Sequence, residues 1–262
     1  MSYTNPTAYD RFMGRWSARL SAFFLDFAEV QDGQHVLDVG CGTGSLSRAV
    51  VGIGEASKVR GVDPVPAYVA FARETVPELR AQFQVGHAES LPFPEHTFDA
   101  ALALLVLQDF AEARQAVSEM ARVTRPGGVV AATLWDFENG LPMLSIFWQA
   151  AEAVAPETVL RHRAQSSRPD HATLHDLAAL WQSCGLSAIK TTTLELPMEF
   201  SSFDDYWQPF LGGATPTSAF AATVNEHTGG TLADLLRNKL TGTRSDGSFV
   251  IPARALAIKG TA

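Results

Sequence analysis

Residues 36–47, VLDVGCGTGSLS, decide the fold. A short apolar run carrying Asp38 leads into glycines at alternate positions, Gly40, Gly42 and Gly44. A helical pattern follows, with Leu46, Ala49, Val50 and Ile53 on one face. Residues 36–39 read as a buried strand and Ser45 onward as a helix. The glycines between them permit positive φ and let a ligand approach bare backbone. Such a strand, glycine loop and helix open a doubly wound sheet, whose ligands sit beyond the carboxyl ends of the strands.

The spacing bears on which ligand. Dinucleotide loops read G-x-G-x-x-G and seat a pyrophosphate on the helix N-terminus. Here the spacing is G-x-G-x-G with Asp38 just before it, and no G-x-x-x-x-G-K-[ST] phosphate loop occurs. An acid beside the loop suits a cationic nucleoside without phosphates. About 20 residues on, VRGVDP (59–64) reads as a second strand ending in Asp63, a carboxylate suited to accept two ribose hydroxyls.

Working outward, residues 9–28 read as an amphipathic helix with Phe12, Trp16, Leu20, Phe23, Phe24 and Phe27 in helical register. After Asp63, Pro64 and Pro66 open a helix to about residue 75. Residues 82–88 and 98–106 read as strands, the second apolar enough to be buried on both faces. Phe110, Ala113, Val117, Met120 and Val123 stripe a helix that ends before a Pro126-Gly127-Gly128 turn, and 129–135 form a fifth strand. This alternation implies a parallel sheet with right-handed crossovers. Thr173 and Asp176 mark a helix start and Gly185 its end. Residues 187–196 and 249–259 read as a closing strand pair. That leaves 137–172 and 198–248 as insertions.

A chain of 262 residues, 46% hydrophobic and 18% charged, fits a single α/β domain with a sizeable core. The net charge of −8 argues against a nucleic-acid partner. No apolar run approaches 18 residues and the N-terminus lacks a leader pattern, so neither membrane nor export is expected. Cys41 and Cys184 form no CxxC, which suits a reduced, cytoplasmic protein. His171 and His175 are four apart but straddle the helix start at Thr173, and no metal is expected.

With loop and acid in register, the chain resembles the class I S-adenosylmethionine-dependent methyltransferases, closely over residues 30–135. It looks most like the branch of ubiquinone/menaquinone C-methyltransferases and small-molecule methyltransferases. Further matching stretches are GHAESLPFPEHTFDAA (86–101) and RVTRPGGVV (122–130). The resemblance implies a Rossmann-like α/β fold: a doubly wound, mostly parallel seven-stranded sheet with a final antiparallel strand. It also implies a helical cap (1–29), a cofactor core (30–136) and lid insertions (137–172 and 198–248), with S-adenosyl-L-methionine as cofactor.

The same resemblance assigns Asp38, Gly40, Gly42, Gly44, Asp63 and Pro64 to that cofactor. Residues after the third strand bracket the adenine; where relatives have Gly-Asp-Ala this chain has Gly86-His87-Ala88. The Ala88 amide carries over, and His87 or Glu89 replaces the missing acid. The Leu104 carbonyl faces the methionine amino group, and Tyr9 with Arg15 (or Arg19) its carboxylate. Where relatives carry a histidine pair, Gln108 and Asp109 stand as the catalytic candidates. Phe203, Trp207 and Trp135 are expected to wall the acceptor pocket. The implied activity is methyl transfer to a small aromatic or lipophilic metabolite, mainly by positioning. An RNA or protein methyltransferase and a non-catalytic cofactor-binding module are the alternatives.

Overall fold

The computed structural model describes residues 5–163, 173–213, 215–241 and 244–262. Helix α1 (Pro6–Tyr9) runs through a π-helical stretch (Asp10–Gly14) into α2 (Arg15–Phe27). Strand β1 (His35–Val39), α3 (Ser45–Val51), β2 (Lys58–Asp63), α4 (Pro66–Thr75), β3 (Ala81–Val85), β4 (Phe98–Leu104), α5 (Ala113–Val123) and β5 (Thr124–Trp135) follow. Next come α6 (Pro142–Val154), α7 (Pro156–Arg163), α8 (Leu174–Ser183) and β6 (Ser187–Phe200). Helices α9 (Phe203–Phe210), α10 (Pro216–His227) and α11 (Thr231–Leu240) precede β7 (Phe249–Thr261).

The strands form one sheet in the order β3-β2-β1-β4-β5-β7-β6. Strands β1 to β5 pair in parallel, and β7 runs antiparallel to β5. From β1 the chain builds outward to β3, then returns to β1's other side with β4. That reversal is the topological switch point at which doubly wound sheets bind ligands. The central strands are buried on both faces, Val36, Leu37 and Val39 being inaccessible, as a sheet sandwiched by helices requires.

Several expected boundaries shift; strand β6 runs on to Phe200 and β7 to Thr261, beyond 196 and 259, and α5 starts at Ala113, after Phe110. Strand β3 stops at Val85, not 88: the Gly86 amide makes the last bond to β2, onto the Asp63 carbonyl (3.2 Å), and His87 then bridges Ser90. Strand β4 stops at Leu104, not 106, because Leu105 adopts φ +56°. Strand β5 begins at Thr124, so Pro126-Gly127-Gly128 lies inside it rather than in a preceding turn. Its pairing with β4 changes register between Phe98 and Ala100. There a Cβ on Gly128 would meet the Asp99 carbonyl at 2.6 Å, which reserves the position for glycine.

The described residues divide into two compact units. One comprises 14–136, 173–194 and 255–262; the other comprises 5–13, 137–163 and 195–254 without the residues outside the description. In the first, Val117, Met120 and Trp181 join Leu37, Ala101, Val130 and Ile258 in a continuous core. The Trp181 indole donates to the Val130 carbonyl at 3.0 Å. The second unit is packed by rings: Phe210 meets Phe12 edge-on and Phe147 face-on, each at 4.9 Å. Its buried Tyr206 hydroxyl donates to the Met143 carbonyl at 3.0 Å. His171 lies outside the described residues.

Candidate cofactor site

The site is built at the carboxyl ends of β1, β2 and β4, within the sheet unit. Leaving β1, the chain turns back over β2: the Gly40 and Cys41 amides both donate to the Val62 carbonyl, at 2.7 and 3.0 Å. Gly40, Gly42 and Gly44 all have positive φ, at 71°, 50° and 85°. The first and second have different reasons to be glycine. A Cβ on Gly40 would lie 2.6 Å from Val106 Cγ2, so that glycine admits the turn after β4. A Cβ on Gly42 would meet no protein atom within 4 Å. The loop therefore shows bare backbone to open space at Gly42, with α3 beginning just behind it.

Asp63 closes this loop. Its Oδ2 accepts the Gly42 amide and its Oδ1 the Val65 amide, both at 2.9 Å. The carboxylate is nearly buried, and burial raises its pKa against the lowering effect of those two amides. Each oxygen retains a lone pair, so two further donors such as vicinal hydroxyls can be accepted. Pro64 sits between the Asp63 and Val65 contacts and fixes that bend.

Asp38 is one layer deeper. It is buried under the loop, accepts the Ser47 hydroxyl at 2.6 Å, and burial pushes its pKa up to about 7. The acid thus ties β1 to the first turn of α3. Burial also holds the Cys41 thiol well above its usual range, which leaves it an inert small residue of the loop.

After β3, Ala88 is buried and the His87 ring is exposed. Glu89 reaches the start of α5: its Oε1 accepts the Ala111 amide at 3.0 Å and the Glu112 amide at 3.4 Å. The same segment is gripped from α5 by residues that the motif reading passed over. Arg122 forks onto Glu119 at 2.6 and 2.8 Å and reaches the Phe93 and Leu91 carbonyls at 2.9 and 3.1 Å; Glu119 accepts the Leu91 amide at 2.9 Å. The signal for this clamp was present as the i, i+3 pairing of Glu119 with Arg122.

After β4, Leu104 ends the strand opposite Thr133 of β5. The Leu105 amide donates to the Thr133 carbonyl and hydroxyl, each at 3.0 Å, which holds its unusual φ. Gln108 Nε2 donates to the Leu105 carbonyl at 2.7 Å and to Asp109 Oδ2 at 3.0 Å. Arg15 stacks its guanidinium on Trp16, 4.3 Å from the ring centroid. Trp135 is buried at the end of β5. Tyr9, Phe203 and Trp207 belong to the other unit. There Phe203 and Trp207 are buried and stacked at 6.3 Å, with the Arg237 guanidinium 4.2 Å from the Phe203 ring.

Among known proteins, the model of a methyltransferase domain matches residues 37–132. Residues 37–132 are thus similar to a methyltransferase domain. The match begins in β1 and ends in β5, so it covers the strands that form the site. The 2-methyl-6-phytyl-1,4-hydroquinone methyltransferase of Synechocystis sp. is 29% identical over 68% of this chain and 55% of its own length. The ubiquinone/menaquinone biosynthesis C-methyltransferase UbiE of Bordetella avium is 30% identical over 60% of this chain and 66% of its own. The matched stretch thus spans less than two thirds of either relative. The crystal structure of the YcgJ protein of Bacillus subtilis superposes with a TM-score of 0.59, covering 93% of this chain and 97% of that one at 22% identity.

The sheet order and glycine loop resemble those of class I methyltransferases, a family whose cofactor is S-adenosyl-L-methionine. The residues present fit that molecule. A bare Gly42 faces open space, a carboxylate with two spare lone pairs stands beside it, and neither a phosphate loop nor a dinucleotide loop is present.

Proposed function

We propose that this protein transfers the methyl group of S-adenosyl-L-methionine to a small aromatic or lipophilic metabolite. The observation that carries the reading is the pairing of the open Gly42 backbone with the Asp63 carboxylate at the switch point of the sheet. Support for the acceptor class comes from the relatives, two of which are named for methylation in quinol or quinone chemistry.

When bound, the cofactor supplies an electrophilic methyl on a sulfonium, ready for in-line displacement. The chain's part is to hold and align. Asp63 takes the ribose hydroxyls, Ala88 offers its amide to the base, and the Leu104 carbonyl accepts from the amino group. His87, next to Ala88, contributes its ring at the base. Arg15 is assigned to the carboxylate, as is Tyr9. Neither Gln108 nor Asp109 is set up as a strong base: an amide does not take a proton at neutral pH, and Asp109 Oδ2 already accepts the Gln108 amide. Rate enhancement then rests on proximity and exclusion of water, which suits an acceptor that ionises or attacks without a base. Phe203 and Trp207 are the rings to test for a part in acceptor recognition.

The test is methyl transfer from radiolabelled S-adenosyl-L-methionine to a panel of hydroquinones, phenols and fatty acyl carboxylates, beside RNA and protein controls. Label on a small lipophilic acceptor supports the reading. Label on RNA or protein alone contradicts it.

A further inference from the structure

One polar atom of the switch point is left unmatched. Gln108 Oε1 is shielded from solvent and has no hydrogen-bond partner. The amide cannot be turned around to relieve this. Its nitrogen already faces two acceptors, the Leu105 carbonyl and Asp109 Oδ2, and the opposite orientation would set oxygen against both. An enclosed acceptor without a donor is costly, and a bound ligand's donor removes that cost.

The strand order indicates which donor arrives there. Asp63 ends β2, the glycine loop leaves β1, and Gln108 follows β4; these three strands are adjacent in that order. A nucleoside held at Asp63 must cross the glycine loop for its far end to reach the β4 turn. Val106 packs against Gly40 at that crossing, so the turn carrying Gln108 is seated directly on the loop. The far end of the methyl donor is its amino-acid arm, which bears an ammonium and a carboxylate. Of these, only the ammonium can donate to Oε1, and the neighbouring Asp109 carboxylate favours a cation over an anion.

We propose that Gln108 Oε1 accepts a hydrogen bond from the ammonium of the bound donor's amino-acid arm, making Gln108 a positioning residue for the sulfonium. Asp109 and the Leu105 carbonyl act through it by locking the amide. This rests on the proposed function, since it requires the donor to occupy the site.

The experiment compares two probes by calorimetry, S-adenosylhomocysteine and its 3-deamino analogue, on wild type and on Gln108→Leu. The leucine variant should bind S-adenosylhomocysteine about tenfold more weakly, as expected for a lost bond to a charged group, and the deamino analogue as wild type does. Equal losses on both probes, or no loss on either, would overturn the assignment. If Gln108→Leu does not fold, Gln108→Met, closer in length and equally without an acceptor oxygen, serves; it should show the same split between the two probes, and any other pattern counts against the proposal. Wild type that fails to bind S-adenosylhomocysteine at all would instead sink the methyl-donor reading itself.

Discussion

Asp63 Oδ2 accepts the Gly42 amide hydrogen at 2.9 Å, which makes the carboxylate at the end of β2 a structural part of the glycine loop after β1. Two signals more than twenty positions apart in the sequence are therefore one device. The acid shapes the loop that it helps to bind with, and any change at either residue is felt at both.

Gly40 and Gly42 should respond to alanine in different measurements. A Cβ at Gly40 runs into Val106, so Gly40→Ala should lower stability by about 1–3 kcal/mol. At Gly42 the cost in the free protein should be only the left-handed backbone, about 1–2 kcal/mol, because the Cβ enters open space. The affinity for S-adenosylhomocysteine should then fall more sharply for Gly42→Ala than for Gly40→Ala. Thermal melts and calorimetry on the two variants check this; a Gly42→Ala protein with native affinity would show that the open space is not where the ligand lies.

Asp38 should make the protein less stable as pH rises. Its folded pKa of about 7 lies above the unfolded value near 3.8, so the native state holds a proton that the unfolded chain has lost. The contribution is complete below pH ~4 and is lost as pH climbs through about 7. Asp63, also raised, acts in the same direction; Glu29, Asp32 and Glu119, all lowered, act in the other. The informative quantity is therefore the difference between Asp38→Asn and wild type. Denaturant melts at several pH values should show the asparagine variant gaining on wild type between pH 4 and 7, and a constant difference would contradict the burial argument.

Arg122→Ala should loosen the segment after β3. The change takes the side-chain donor from the Phe93 carbonyl, leaves the Leu91 carbonyl only its bond from the Phe93 amide, and removes the forked partner of Glu119, a loss of about 2 kcal/mol for a partly buried cluster. Hydrogen exchange at the Leu91 amide should accelerate with the melt, while Arg122→Lys should recover only part of the protection because an ammonium cannot fork. Unchanged exchange at Leu91 would mean that the segment is held by its apolar residues alone.

Much of this was readable in the chain. The glycine spacing, Asp63 and the alternation of strand and helix specify the parallel half of the sheet, since each depends on local pattern. Ends of elements were less legible. Strand β4 looks apolar through Val106, yet Leu105 breaks it through the Thr133 carbonyl and hydroxyl, which lie on another strand. The turn expected at Pro126-Gly127-Gly128 is strand, and Ala262 is bonded to both glycines there: the Gly127 amide donates to the Ala262 carbonyl at 2.9 Å and the Ala262 amide to the Gly128 carbonyl at 3.0 Å. Glu89, an expected adenine neighbour, also holds the Ala111 and Glu112 amides ahead of α5. Sequence shows which residue can accept a hydrogen bond, but not which donor the fold brings to it.

The most direct measurement of the central claim is calorimetric titration of wild type and Asp63→Ala with S-adenosylhomocysteine, well below the melting temperature of both. Wild type should bind. The variant should bind more weakly by about 2–4 kcal/mol, for two charge-assisted hydrogen bonds lost to the ribose and a loop no longer held at Gly42. A folded Asp63→Ala protein with wild-type affinity would contradict the account.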